Sequence, residues 1–324
     1  MPQYSNQTNL PTAIAVWLAH DTYDRAEAGL SATSLLKPVR QVILSQRIPE
    51  GEGITDVSGL IKSRIGTAIH DAIERAWISD RLDSTLKSLG ASDKTVSRVK
   101  INPETIEGPC YPIYLELRSS KDILGVKVTG KFDFIDNGKL IDFKTTSTFA
   151  YTSGNKDEDY VMQGSIYRWL NPEIITDEFM DICFIFTDWQ KNRYMSDPRN
   201  YPSNQIISRS FKLHSAAFVQ SYVEERVRTL IRLQDVPEKD LPLCTDKDLW
   251  RKPDTFKYYK NPQKQTKSTA NFDNLSDANR RFLDDGAVGL VKTVKGGVSA
   301  CLYCSAFTVC TQKDRLIESG ELKI

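Results

Sequence analysis

The chain has 324 residues, 40% of them apolar and 26% charged, with a mean hydropathy of −0.40. This predicts a globular protein of about two domains and excludes intrinsic disorder, collagen-like repeats and a disulfide-knitted miniprotein. Forty-three basic against 42 acidic residues leave +1, which excludes the broad positive field of a histone-like binder, so any contact with nucleic acid has to come from a local patch.

Residues 1–60 read as a helical N-terminal region. Leu10 to Leu18 is helix-like, and a second apolar stretch, Ser31 to Leu44, is interrupted by Pro38. The run Pro49-Glu50-Gly51-Glu52-Gly53 is a turn-rich link. No apolar run approaches the ~20 residues of a membrane span. Thr12 to Ala19 is short and lacks a basic leader, so a signal peptide is not expected. Six cysteines without an export signal then predict a reducing, cytoplasmic setting, in which clustered thiols are metal ligands rather than disulfides.

Ile65, Ile69, Ala72, Ile73, Ala76 and Trp77 recur at helical spacing, with His70 at the border of the stripe. Residues 111–146 switch to period two. Strands are expected over Tyr111 to Leu117, Val126 to Ile135 and Leu140 to Thr145, with Asn137-Gly138 as a hairpin turn. A helix over Asp157 to Leu170, a strand over Ile182 to Thr187 and a helix over Ser215 to Leu233 follow. The composition shifts near residue 236. The expected fold is therefore α/β with a mixed sheet, divided into residues 1–60, 61–235 and 236–324.

Counting outward from Asn137-Gly138 sets Asp133 opposite Asp142, and period two puts Lys144 on the same face. Directly opposed like charges are destabilising. A divalent cation, Mg²⁺ or Mn²⁺, would resolve the repulsion and leave water as a nucleophile. The bland alternative is a solvated pair of carboxylates with Lys144 bonded to one of them. His70 alone is more often a structural residue, and Gln163 with Tyr167, sharing a helix face, more often a polar edge.

Together and in this order the elements resemble the PD-(D/E)xK nuclease superfamily, in its branch of RecB-type exonucleases that includes the nuclease of CRISPR adaptation and phage recombination exonucleases. The matching residues are Gly66…His70…Glu74, Gly130-Lys131-Phe132-Asp133, Asp142-Phe143-Lys144 and Gln163…Tyr167. The resemblance covers roughly residues 60–170, with Ser31 to Leu36 similar to the segment preceding that core. It implies a restriction-endonuclease-like core in which His70, Asp133 and Asp142 bind Mg²⁺ or Mn²⁺ and Lys144 assists catalysis. Gln163 and Tyr167 would line the DNA path, and Glu116 could add a carboxylate.

Near the C-terminus, Cys301-Leu302-Tyr303-Cys304 and Cys310 form C-x₂-C-x₅-C, and Cys244 is the chosen fourth ligand over Cys110 and Cys183. Four thiolates suit tetrahedral zinc or an iron–sulfur cluster, which spacing does not separate. The run also resembles the RecB-like branch that carries a [4Fe–4S] cluster, which implies iron. Several of those relatives place the first cysteine before the core in a Cys-Pro context, where this chain has Lys37-Pro38. Phage-type exonucleases with a cysteine shortly before an aspartate and a tryptophan are matched better by Cys244-Thr245-Asp246-Lys247-Asp248-Leu249-Trp250, in which Asp246 and Asp248 precede Trp250.

Between the cysteines lies a basic patch of Lys247, Arg251, Lys252, Lys257, Lys260, Lys264 and Lys267, interleaved with Trp250, Phe256, Tyr258 and Tyr259. It reads as a single-strand-binding groove or, equally, as a strand or loop whose rings are core. Lys252 and Lys257 are its chosen DNA contacts. The leading expectation is a metal-dependent DNA exonuclease of recombination, repair or degradation, acting on ends or single strands. Two alternatives are a catalytically silent binding or assembly module with the same fold and a zinc-dependent replication scaffold. No G-x₄-G-K-[S/T] occurs, so a helicase, like a recombination or single-strand-binding protein, would be a partner.

Overall fold

The computed structural model describes residues 3–20, 29–49, 54–106 and 108–324; the link at 50–53 lies outside them. The chain divides into two compact units, one of Met1–Leu36 with Gly53–Thr229, the other of Lys37–Glu52 with Leu230–Ile324. The helices that position the sites are α1 (Val39–Gln46), α2 (Ile61–Trp77), α3 (Asp157–Leu170), α4 (Ala216–Leu233) and α5 (Thr311–Glu318). The strands are β1 (Val99–Ile101), β2 (Tyr111–Leu115), β3 (Arg118–Ile123), β4 (Val126–Lys131), β5 (Phe134–Asp136), β6 (Lys139–Thr146), β7 (Phe179–Phe186) and β8 (Ile206–Lys212) in the first unit. In the second they are β9 (Thr255–Tyr259), β10 (Ala270–Phe272) and β11 (Leu290–Val294).

A six-stranded sheet in the order β8-β7-β6-β5-β2-β1 forms the centre of the first unit. It is mixed, with β6 parallel to β7, β1 parallel to β2, and the other neighbours antiparallel. The β5–β6 hairpin closes on Asn137 (φ 45°) and Gly138 (φ 93°), both left-handed as a type I′ turn requires. The turn fixes the expected register: Asp136 opposite Lys139, Ile135 opposite Leu140, Phe134 opposite Ile141.

The run 126–135 is not one strand. It breaks at Phe132 and Asp133, so β4 joins β3 and Leu30–Ser31 in a three-stranded sheet while β5 joins the large one. Alternation continues across the break, which is why periodicity hides it. Gly130 sits at the end of β4 because a Cβ there would come within 2.6 Å of Leu170 and 2.9 Å of Tyr167 on α3. The acidic first turn of α3, Asp157 to Asp159, complements its N-terminal dipole.

On the other face of the sheet, Trp77 of α2 meets Phe134 edge-on, with ring centroids 5.0 Å apart. It packs on the cluster of Ile113, Leu115 and Phe134 together with Ile141 and Phe143. The second unit carries the three-stranded sheet β10-β9-β11, and Cys244 and Cys301 pack against a core of Leu249, Val298, Leu316 and Leu322. Among the described residues no helix is long and apolar enough to cross a membrane.

Candidate functional site

Three carboxylates, a histidine and a lysine meet where β5 begins. The β5–β6 ladder ends at Phe134 and Ile141, so Asp133 stands just beyond it rather than paired with Asp142. Its Oδ2 instead accepts the Phe143 N–H at 2.9 Å, and its Oδ1 lies 3.5 Å from His70 Nδ1. His70 Nε2 contacts the Phe143 carbonyl oxygen at 3.1 Å. Glu116, the residue after β2, is left-handed at φ 52°. A non-glycine residue held there costs of order 1–3 kcal/mol, and such strain concentrates at functional sites. Its Oε1 lies 3.9 Å from His70 Nδ1, and its Oε2 pairs with Lys131 at 2.7 Å.

Among the described residues, His70, Glu116 and Asp133 each offer one donor atom within 4.8 Å of the others. One imidazole and two hard carboxylates fit a divalent cation of the Mg²⁺ or Mn²⁺ kind. This grouping differs from the expected ligand set by taking in Glu116, while Asp142 pairs with Lys144. Sequence reasoning placed Glu116 at the margin because nothing local announces a left-handed glutamate.

Asp142 is only 1% exposed, so the solvated reading of the hairpin fails. Burial, with Asp133 adding to it and Lys144 opposing, pushes its carboxyl up to about 6. Lys144 Nζ lies 2.6 Å from Asp142 Oδ2. Burial works against its charge, but the charges of Asp142 and Asp133 outweigh that and raise its pKa. Lys144 is cradled further by Gln163 Oε1 at 3.4 Å and the Tyr160 ring at 5.4 Å. Gln163 Nε2 in turn donates to Tyr167 OH at 2.7 Å. Tyr167 is 5% exposed and packs beneath Gly130, so the expected DNA-lining pair divides: Gln163 faces the lysine and Tyr167 holds Gln163.

Burial disfavours charge on His70, yet its hydrogen bond to Asp133 and the charges of Asp133 and Glu116 prevail and raise it to about 9. A histidine raised in the fold gives stability that is fully present below its unfolded value near 6.5 and is lost as pH rises through 9. Metal-free protein is therefore expected to lose roughly 3 kcal/mol from this source between pH 6.5 and 9.5. Urea melts of wild type and His70→Gln across that range measure it. Parallel losses in both proteins would remove His70 as the cause.

In the second unit Cys244, Cys301, Cys304 and Cys310 line one cavity, while Cys110 and Cys183 lie in the first unit. Burial, then Asp248 and the other three thiols, pushes Cys244 up to about 12. Burial also raises Cys301 and Cys304. Burial thus opposes ionisation of Cys244, Cys301 and Cys304 until a cation takes them as thiolates. The donor set fits zinc or an iron–sulfur cluster.

Two residues that sequence reasoning missed hold this centre. Arg40 on α1 is 2% exposed. Its Nε donates to Cys310 Sγ at 3.3 Å, its Nη1 to the carbonyls of Glu238 (3.1 Å) and Leu241 (3.2 Å), and it pairs with the Glu238 carboxylate. Gln312 on α5 clamps the Cys244 backbone, accepting its N–H at 2.8 Å and donating to its carbonyl at 3.0 Å. The segment after Lys37-Pro38 thus reaches the thiols, but brings a guanidinium. Arg40→Met takes the guanidinium from two carbonyls and from the Glu238 carboxylate, which keeps its Thr311 hydrogen bonds, so a loss of about 1–3 kcal/mol is expected in chemical denaturation. A variant as stable as wild type would show that the pair is dispensable.

The basic, aromatic patch is corrected in part. Tyr258 and Tyr259 are buried core residues of β9. Arg251 is tied to Asp246 and Glu321, each at 2.5 Å. Lys257 is half-buried on β9, whereas Lys247, Lys252, Lys260, Lys264 and Lys267 are exposed.

No protein-family model matches the chain, and no curated protein matches it. Among solved structures, SSO0001 is similar at a TM-score of 0.40 and 17% identity, over 71% of this chain and 89% of that one. A phage-related exonuclease from Haemophilus somnus 129PT is similar at a TM-score of 0.30 and 12% identity, over 65% of this chain and 95% of that one. Likeness at this level assigns no activity.

Proposed function

We propose that the chain is a metal-dependent DNA exonuclease with a PD-(D/E)xK site. The observation that carries this reading is the buried Asp142–Lys144 pair beside the His70, Glu116 and Asp133 donors. A fold maintained for stability alone gains little from confining three carboxylates and a lysine around one point. A divalent cation held by His70, Glu116 and Asp133 would polarise a phosphate and lower the pKa of a bound water. The protein's own groups supply the rest. Lys144 Nζ offers a fixed positive charge to negative charge growing on the phosphate. Asp142 aims that ammonium, and its carboxylate, poised near neutral pH, is suited to hold the proton of an attacking water. Gln163 accepts from the ammonium, and the Tyr160 ring faces it. In the second unit a zinc ion or [4Fe–4S] cluster on Cys244, Cys301, Cys304 and Cys310 would be structural.

Digestion of end-labelled linear DNA and of covalently closed circular DNA, each with Mg²⁺ or Mn²⁺, tests the reading. Linear DNA should be degraded and circles spared. Cleavage of circles would make the activity endonucleolytic, and intact DNA in every condition would leave a binding module.

A further inference from the structure

The turn around residue 250 displays a ring from a backbone anchored on both sides. Leu249 is buried, and its carbonyl accepts the N–H groups of Ser299 and Ala300, both at 3.2 Å. Arg251 reaches inward to Asp246, Glu321 and, at 2.8 Å, the Gly296 carbonyl. Between them Trp250 takes φ 50°, a left-handed conformation that a bulky residue adopts only where its surroundings impose it. The indole is left 46% exposed. Tyr303, inside the loop between Cys301 and Cys304, is 71% exposed, and its ring centroid lies 5.8 Å from the indole at an interplanar angle of 38°.

Exposed lysines stand close by along the chain and on the segment the turn is bonded to. Lys247 accepts the Trp250 N–H through its carbonyl, and Lys252 donates its own N–H to Gly297. Lys295, one residue before Gly296, acts electrostatically on Glu321, the partner of Arg251. Rings give a base a stacking face, and ammonium groups beside them neutralise the phosphates that follow it.

We infer that Trp250 and Tyr303 form a stacking platform for single-stranded DNA. The inference deepens the nuclease reading and rests on it for the choice of DNA. Tyr303 sits between Cys301 and Cys304, so a metal on the four thiols would hold the platform's second ring in place.

Fluorescence anisotropy with labelled oligo(dT), without added divalent cation so that nothing is cut, tests it directly. Trp250→Gly is the informative variant, since glycine suits φ 50° and should leave melting temperature and bound metal at wild-type levels. Its affinity should fall about tenfold or more, as should that of Tyr303→Ala, while Trp250→Phe should keep most of the binding. Unchanged affinity in Trp250→Gly with wild-type metal content overturns the platform. So does tighter binding of oligo(rU) than of oligo(dT). The nuclease reading fails separately: a wild type that binds oligo(dT) through Trp250 yet cuts no DNA with Mg²⁺ or Mn²⁺ refutes that reading alone.

Discussion

Lys144→Ala should abolish DNA cleavage while leaving the fold and DNA affinity close to wild type. The ammonium is held 2.6 Å from Asp142 and steadied by Gln163 and Tyr160, so its position is set before substrate arrives. Removing one preorganised donor of transition-state charge costs on the order of 10²–10³ in rate, and loss of an interaction made only there lowers kcat with Kd unchanged. The fold is spared because Asp142, already raised to about 6 by burial, takes up a proton when its counter-ion goes. Single-turnover cleavage and anisotropy on the same preparation separate the two effects. Full activity in a folded Lys144→Ala protein would remove Lys144 from the site.

Cys244→Ser should release the metal of the second unit and lower its melting temperature by on the order of 10 °C, since metal-binding free energy is folding free energy. All four thiols, with Arg40 and Gln312, belong to that unit, so closing the centre ties residues scattered from 40 to 312 into one core. With iron bound, wild type should be brown, absorbing broadly near ~400 nm and bleached by dithionite. Colourless protein with stoichiometric zinc would replace iron and keep the staple. Cys110→Ser and Cys183→Ser should retain the metal. Full metal content in Cys244→Ser would show that another residue is the fourth ligand.

What the sequence disclosed is what local chemistry dictates. Asn137-Gly138 can hardly be other than a tight hairpin turn, and from it followed the β5–β6 register and the face shared by Asp142 and Lys144. The charged first turn and apolar spacing of α3 marked both of its ends at Asp157 and Leu170. The thiols of a C-x₂-C-x₅-C run announce one another by spacing. Illegible features depend on partners far along the chain. Glu116 gains its role from His70 and Asp133, not from its neighbours. Arg40 meets Cys310 across 270 positions. Tyr258 and Tyr259, set among lysines, look like a binding surface until β10 and β11 pair on either side of β9. The break at Phe132–Asp133 carries neither glycine nor proline, so alternation reads straight through it.

That break hands the chain from the small sheet to the large one beside Asp133, whose carbonyl accepts the Glu116 N–H at 3.1 Å and whose carboxylate accepts the Phe143 N–H at 2.9 Å. Phe132 before it is fully buried, and the span from Asp133 to Asp142 is set by these two hydrogen bonds rather than by a continued ladder pair. Mg²⁺ demands near-ideal octahedral geometry, and Mn²⁺ is more forgiving. A substitution that displaces β4, such as Gly130→Ala against Leu170 and Tyr167 of α3, should therefore read out as a changed preference between Mg²⁺ and Mn²⁺ at the proposed site.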